Sequence, residues 1–300
     1  MKNINGTGSH HAPHERPSLT PRERLIVALD GTLDEARALV ASLGEDVVFY
    51  KIGWRCFLQG GWDVVHEIIR GHKRLFLDLK IHDIDATVRL ALHHVPSSVA
   101  LMTLYGNGDT MRAACEGRGS NKTPALLSLT WLSSMDEKDF QCLAGAQCSL
   151  TDFVIERALS AYDAGADGVI ASGDHIGMIR HVLAKRALAK RALAKRALAQ
   201  QKKTRPFLIV APGVRMADES RDDHKRALTP YEAIKQGADY IVMGRSIARC
   251  LPERRVGFVR DIIRDIKSAL EEREAKTDTQ HAPYPPMDKM TGDSYGDNVS

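Results

Sequence analysis

Four charged side chains stand at the ends of apolar runs in the first third of the chain. Leu-Ile-Val-Ala-Leu ends in Asp30, Val-Val-Phe-Tyr ends in Lys51, and Leu-Phe-Leu leads into Asp78, Leu79, Lys80, Ile81, His82 and Asp83. Residues two apart on an extended strand point to the same side, so Asp78 and Lys80 face one way together. If these runs are neighbouring strands, Asp30, Lys51, Asp78 and Lys80 alternate acid and base across one mouth. A lysine held between carboxylates stays protonated, a placed cation for negative charge that develops during a reaction. A structural ion-pair network would use the same residue types. Against it stands the cost of desolvating charge, incurred here at three consecutive strand ends.

A second constellation lies late in the chain. Val-Ala-Pro-Gly-Val-Arg (210–215) and Val-Met-Gly-Arg (242–245) each end an apolar run in a glycine and an arginine. Glycine lets backbone N–H groups approach an anion, and Arg215 and Arg245 can grip phosphate oxygens. Together they point to a phosphorylated small molecule.

Both constellations need a scaffold that brings strand ends together. Short apolar runs at 25–29, 47–52, 74–79, 99–104, 125–131, 168–171, 207–211 and 240–243 read as buried strands. Helical periodicity fills the gaps at 33–43, 61–70, 84–93, 151–164 and 230–236, and a last helix is expected at 252–272. Eight βα units predict a single-domain (β/α)8 TIM barrel over 21–273, with a doubly wound sheet as the alternative. In a barrel the loops after strands seven and eight are the usual phosphate site, and the C-terminal strand ends face the active site.

The composition is that of a globular protein able to bury a core, 43% hydrophobic and 27% charged in 300 residues. No apolar run is long enough to span a bilayer, and the first residues lack the apolar core of a secretory signal. Cysteines 56, 115, 142, 148 and 250 show no metal-ligand spacing and read as free thiols in a cytoplasmic protein. Residues 1–20 and 274–300 read as disordered tails. The formal net charge of +4 is misleading. Residues 181–205 hold nine basic side chains and no acidic one, leaving 33 basic against 38 acidic elsewhere. Within them a Leu-Ala-Lys-Arg-Ala pentad repeats. Each five-residue step turns ~140° on a helix, so its leucines spiral without forming a stripe. We read 184–203 as an insertion that lengthens the sixth barrel helix into solvent, with no nucleic-acid partner expected because no aromatic residues interleave for base stacking.

Asp78-Leu79-Lys80-Ile81-His82-Asp83-Ile84 followed by Thr87 resembles the DxKxxDI…T signature of the orotidine 5′-phosphate decarboxylases of bacterial, monofunctional type. LIVALD, FYKIG, TMRAACEGRG, PGVR and LTPYEAIKQGADYIVMGR extend the resemblance from about Arg22 to Glu272, interrupted by the pentads. It implies a homodimeric barrel that decarboxylates orotidine 5′-monophosphate to uridine 5′-monophosphate, the last step of UMP biosynthesis, with no metal or organic cofactor. It further implies Lys80 as proton donor to C6, Asp78 beside the substrate carboxylate, Lys51 holding Asp78 and a ribose hydroxyl, and Asp30 on the ribose. Asp83 and Thr87 would complete the partner subunit's site. Ser133 would read the pyrimidine edge, and Arg215, His224, Gly244 and Arg245 would hold phosphate or pyrimidine, with a closing loop between Val214 and Leu228.

Four positions depart from the family pattern: His224 stands for Gln, Tyr105 for His, Asp85 for Pro and Trp54 for Leu. Two other functions compete. One is a magnesium-dependent sugar-phosphate decarboxylase or aldolase of the same barrel superfamily, against which Ile84 and Thr87 argue. The other is a non-catalytic barrel whose basic helix binds nucleic acid.

Overall fold

The apolar runs form eight parallel strands whose last member pairs with the first. The computed structural model describes residues 19–144, 148–196, 206–217 and 227–280. A 3-10 turn at Arg22–Arg24 leads into β1 (Leu25–Leu29), α1 (Leu33–Leu43), β2 (Phe49–Gly53), α2 (Trp54–Arg70), β3 (Arg74–Ile81), α3 (Asp85–His93), β4 (Leu101–Leu104), α4 (Gly108–Arg118) and β5 (Ala125–Leu129). Then come α5 (Glu137–Ala144), α6 (Leu150–Asp163), β6 (Gly168–Ile170), α7 (His175–Arg196), β7 (Leu208–Pro212), α8 (Pro230–Gln236), β8 (Tyr240–Met243), α9 (Arg245–Arg249) and α10 (Pro252–Gln280). Pairing of Leu25, Ile26 and Val27 with Ile241, Val242 and Met243 closes the sheet into a (β/α)8 barrel and rules out the open, doubly wound alternative.

Strand parity sorts the side chains into two cores. Leu25, Val27 and Leu29 face the helices, while Ile26 and Ala28 face the barrel interior with Phe49, Phe76, Leu127, Leu129, Val210 and Val242. Counting on by twos from the interior residues reaches Asp30 after β1, Lys51 on β2, Asp78 on β3, Pro212 on β7 and Gly244 after β8. These residues form the top layer of the interior stack. At the opposite end the Arg74 guanidinium lies 4.3 Å from the Phe49 ring centroid and donates to the Tyr240 hydroxyl at 3.3 Å, sealing the barrel floor.

Local signals start the helices. Thr32 with Glu35, and Thr229 with Glu232, form reciprocal capping boxes at α1 and α8, and Pro230 occupies the first turn of α8. Gly61 (φ 51°, ψ −138°) breaks α2 into two helical pieces, the second of which is the helix expected at 61–70. α4 carries no apolar stripe because its buried face is Thr110, Met111, Ala113, Ala114 and Gly117. α10 runs on to Gln280, past the expected end near Glu272, so residues 274–280, expected to begin a disordered tail, are helical up to the approach of Pro283. No helix among the described residues is long and apolar enough to cross a membrane.

The pentads continue α7 through Arg196; residues 197–205 and both expected tails outside 19–280 lie beyond the described residues. Leu183 is the last buried side chain described on this helix, and Leu188, one pentad on, is 64% exposed. Arg186 pairs with Asp163 at the surface, where such contacts contribute little. Deleting 184–199 is expected to move the melting temperature by less than about 4 °C. A larger drop in a thermal melt would mean that the pentads pack on the barrel.

Candidate active site

β1, β2 and β3 deliver an unbroken ion chain to one mouth of the barrel. Lys51 Nζ lies 3.0 Å from Asp30 Oδ1 and 3.5 Å from Asp78 Oδ2, and Lys80 Nζ donates to Asp78 Oδ1 at 2.9 Å. The chain grades from buried to open. The Lys51 and Asp78 side chains are 12% and 13% exposed, against 33% for Lys80 and 53% for Asp30. The closed inner pair thus presents an ammonium group at the edge that a ligand can reach.

Simple alternation is not how Asp78 and Lys80 reach the same side. Leu77 pairs with Met102 but Ile81 with Leu104, so β3 has two more residues than β4 across this stretch. Lys80 absorbs the bulge in the left-handed region at φ 48°. Such a conformation is costly for a residue with a long side chain and persists only where the surroundings enforce it.

The charges set each other's protonation. Burial pushes the Asp78 carboxyl up, but the Lys51 and Lys80 ammonium groups outweigh it and hold Asp78 below the usual aspartate range; the buried Thr103 hydroxyl of β4 acts in the same direction. Burial pulls Lys51 down, and the carboxylates of Asp78 and Asp30 outweigh that pull and hold it above the usual lysine range. A depressed carboxylate stabilises the fold above its unfolded pKa of about 3.9 and loses that contribution as pH falls through its folded value. A raised lysine contributes fully below its unfolded pKa of about 10.4 and loses this as pH rises through its folded value. In melts across pH, Asp78→Asn should flatten the acid limb below about pH 4, and Lys51→Met the alkaline limb above about pH 10. Limbs as steep as those of the unmodified chain would show that the pair does not couple to folding.

Across the cavity, β7 and β8 supply the other end. Gly213 turns the chain at φ 71°, a conformation that favours glycine. Arg215 is buried and its Nη1 donates to Ser246 Oγ at 3.0 Å. A Cβ at Gly244 would stand 3.0 Å from Ala28 Cβ and 3.1 Å from Asp30 Oδ2, so glycine keeps the β8 end close to β1. Gly244 caps α9, which begins with Arg245. Phe76, Leu129, Ile170 and Val242 floor the space between the two ends.

Of the residues expected from sequence, Asp30, Lys51, Asp78, Lys80, Ser133, Arg215, Gly244 and Arg245 line this one cavity. Asp83 and Thr87 do not. Both are exposed, and the Asp83 carboxylate accepts from the Ile84 N–H at 2.7 Å. His224 and most of the expected closing loop fall in 218–226, outside the described residues. Tyr105 packs edge-on against His82, Asp85 opens α3, where an acidic side chain suits the helix dipole, and Trp54 is half exposed beside Phe57. Thr103 was not anticipated as a site residue, although it follows the interior-facing Leu101 by two. Among the described residues no cluster of three or more His, Cys, Asp or Glu could hold a metal ion, and all five cysteines are free.

Residues 23–255 match the family described as orotidine 5′-phosphate decarboxylase / HUMPS. The chain is 38% identical over 243 residues to the orotidine 5′-phosphate decarboxylase of Nitrobacter winogradskyi, covering 80% of this chain and 90% of that one. It is 39% identical over 228 residues to that of Jannaschia sp., covering 75% and 91%. Among solved structures, the orotidine 5′-phosphate decarboxylase of Lactobacillus acidophilus superposes with a TM-score of 0.63 at 25% identity, over 81% of this chain and 98% of that one.

Proposed function

The chain belongs to the orotidine 5′-phosphate decarboxylase / HUMPS family, and from that premise we infer that it converts orotidine 5′-monophosphate to uridine 5′-monophosphate and CO2. The curated relatives reported above are decarboxylases by name, which favours this reaction over the sugar-phosphate chemistry weighed from the sequence. The observation that carries the mechanism is the Asp30–Lys51–Asp78–Lys80 ion chain facing Arg215, Gly244 and Arg245 across one cavity.

Loss of CO2 leaves the bonding electrons on C6 of the pyrimidine, a carbanion-like centre with no adjacent group to delocalise it. Lys80, the more accessible of the two lysines in the ion chain, stabilises that charge and donates its proton to C6. Asp78 sits beside the departing carboxylate and keeps Lys80 oriented and charged. Lys51 holds Asp78 in place and, with Asp30, takes the ribose hydroxyls. Ser133, on the loop after β5, reads the pyrimidine edge. Arg215, Gly244 and Arg245 bind the phosphate, and binding energy from that remote group offsets the repulsion between Asp78 and the substrate carboxylate. His224 would add a donor from the loop after β7. No metal or organic cofactor enters this scheme.

Asp83 and Thr87 act in the partner subunit's site of a homodimer. Supporting this, both are exposed at the start of α3, beside Ile84 at 72% and near Leu90 at 66% exposure, an apolar surface suited to a second copy. Mixing Lys80→Ala with Asp83→Asn in buffer containing EDTA tests site sharing and metal independence together, with substrate loss followed by ultraviolet absorbance. Each variant alone should be nearly inactive. Random reassortment makes half the dimers mixed, each with one intact site, so about a quarter of normal turnover should return. No recovery would place Asp83 in its own subunit's site, and full activity of Asp83→Asn alone would place it outside the site. If EDTA abolishes the activity of the unmodified enzyme, the cofactor-free scheme is wrong.

A further inference from the structure

Arg157 of α6 is half-buried at the rim of the same mouth yet lines none of the substrate cavity. Among the described residues it pairs with no carboxylate. Its guanidinium instead serves backbone oxygens of two neighbouring strand ends. Nη2 donates to Gly106 O after β4 at 2.7 Å and to Leu129 O of β5 at 3.1 Å, and Nε donates to Leu129 O at 3.3 Å. The guanidinium carbon lies 4.7 Å from the Tyr105 ring centroid and 5.4 Å from that of Phe153. Burial pulls the group below the usual arginine range, so the arrangement bears a desolvation cost. A surface arginine kept only for solubility would not.

The contacts continue to both sides of the reacting centre. Tyr105 N donates to Ile81 O at 2.9 Å, and His82 Nδ1 donates to Tyr105 O at 2.6 Å, tying Tyr105 to the two residues that follow Lys80. On the other side, Leu129 lines the cavity and lies four residues before Ser133. One planar cation thus spans the ends of β4 and β5 and, through Tyr105, the bulged end of β3.

We propose that Arg157 is a positioning residue that holds the Ser133 rim in register with the Lys80 strand end, and so sets how tightly the pyrimidine is gripped. This rests on the reading of Ser133 as the pyrimidine contact. Lysine keeps the charge but cannot serve two carbonyls in a plane and stack on a ring at once. Arg157→Lys should therefore lower kcat/KM roughly tenfold, mostly through KM, because the grip on the ring is lost equally in the bound substrate and the transition state.

The test is a double-mutant cycle with Ser133→Ala, reading kcat and KM for orotidine 5′-monophosphate and, by calorimetry, the Kd for uridine 5′-monophosphate. The expected result is that each single variant raises KM and Kd, and that Arg157→Lys has little further effect once Ser133 is gone. Additive losses, or Arg157→Lys kinetics equal to the unmodified enzyme, overturn the proposal alone. Normal kinetics for Ser133→Ala overturn the Ser133 reading and the proposal with it. Should Arg157→Lys fail to fold, Tyr105→Leu removes the stack while leaving the carbonyl contacts. It should give a smaller KM rise that is likewise absent in the Ser133→Ala background, and an additive rise counts against the proposal.

Discussion

Lys80→Ala should lower kcat for orotidine 5′-monophosphate by about 10⁴-fold or more while leaving the barrel folded, as read from the fall in substrate absorbance and from a thermal melt. General-acid catalysis is worth about 10²–10⁴-fold. A preorganised charge at the developing anion is worth a further ~10²–10³-fold. In the proposed mechanism Lys80 supplies both, and the described geometry places no other ammonium at the accessible end of the ion chain, since Lys51 lies behind Asp78. The fold should tolerate the change because Lys51 still neutralises Asp78. Lys80→Arg should be nearly as slow, since a guanidinium keeps the charge but is a very weak acid. Turnover of Lys80→Ala at the unmodified rate would remove Lys80 from the mechanism.

The second large effect is expected at the far end of the cavity. Replacing Arg215 and Arg245 together by alanine should lower kcat/KM about 10³-fold. Hydrogen bonds to a charged group contribute about 1.5–3 kcal/mol each, and two are lost. The loss should appear in kcat as well as KM, because phosphate binding energy helps hold the substrate carboxylate against Asp78. The control is the nucleoside orotidine, which lacks the phosphate. Its slow turnover should be the same in the double variant and the unmodified enzyme. A nucleoside rate that falls equally would mean that the arginines support the fold and not the phosphate. The buried Arg215 to Ser246 contact makes that alternative worth measuring.

Much of this site could be read along the chain because barrel strands obey a simple rule. Side chains alternate, so an apolar residue facing the interior places the charged residue two further on at the top of the same stack. Ala28 leads to Asp30, Phe49 to Lys51 and Phe76 to Asp78 in this way. The glycine–arginine pairs after β7 and β8 were legible for a similar reason, since their types already suit an anion. Other features left no such trace. α4 buries threonine, alanine and glycine, which leave no periodic apolar signal. Arg157 reads as one more charged position on a helix, because its value comes from carbonyls 28 and 51 residues away.

What the sequence by itself determined is therefore local: the alternation of strand and helix, the parity of each strand, and the chemical type of each residue at its end. The tertiary structure decided what those ends meet. Closure through β1 and β8 brings Gly244 against Asp30 across more than 200 residues, a contact that no local pattern specifies. The bulge in β3 and the left-handed Lys80 bring that ammonium onto Asp78, which the plain alternation of an extended strand does not describe. Asp83 and Thr87 stand within a few residues of Lys80 in the chain, yet the turn into α3 carries them out of its cavity. Neighbours in sequence are separated and distant residues joined because hydrogen-bond register and closure act between strands, and the code for side-chain direction acts only within one.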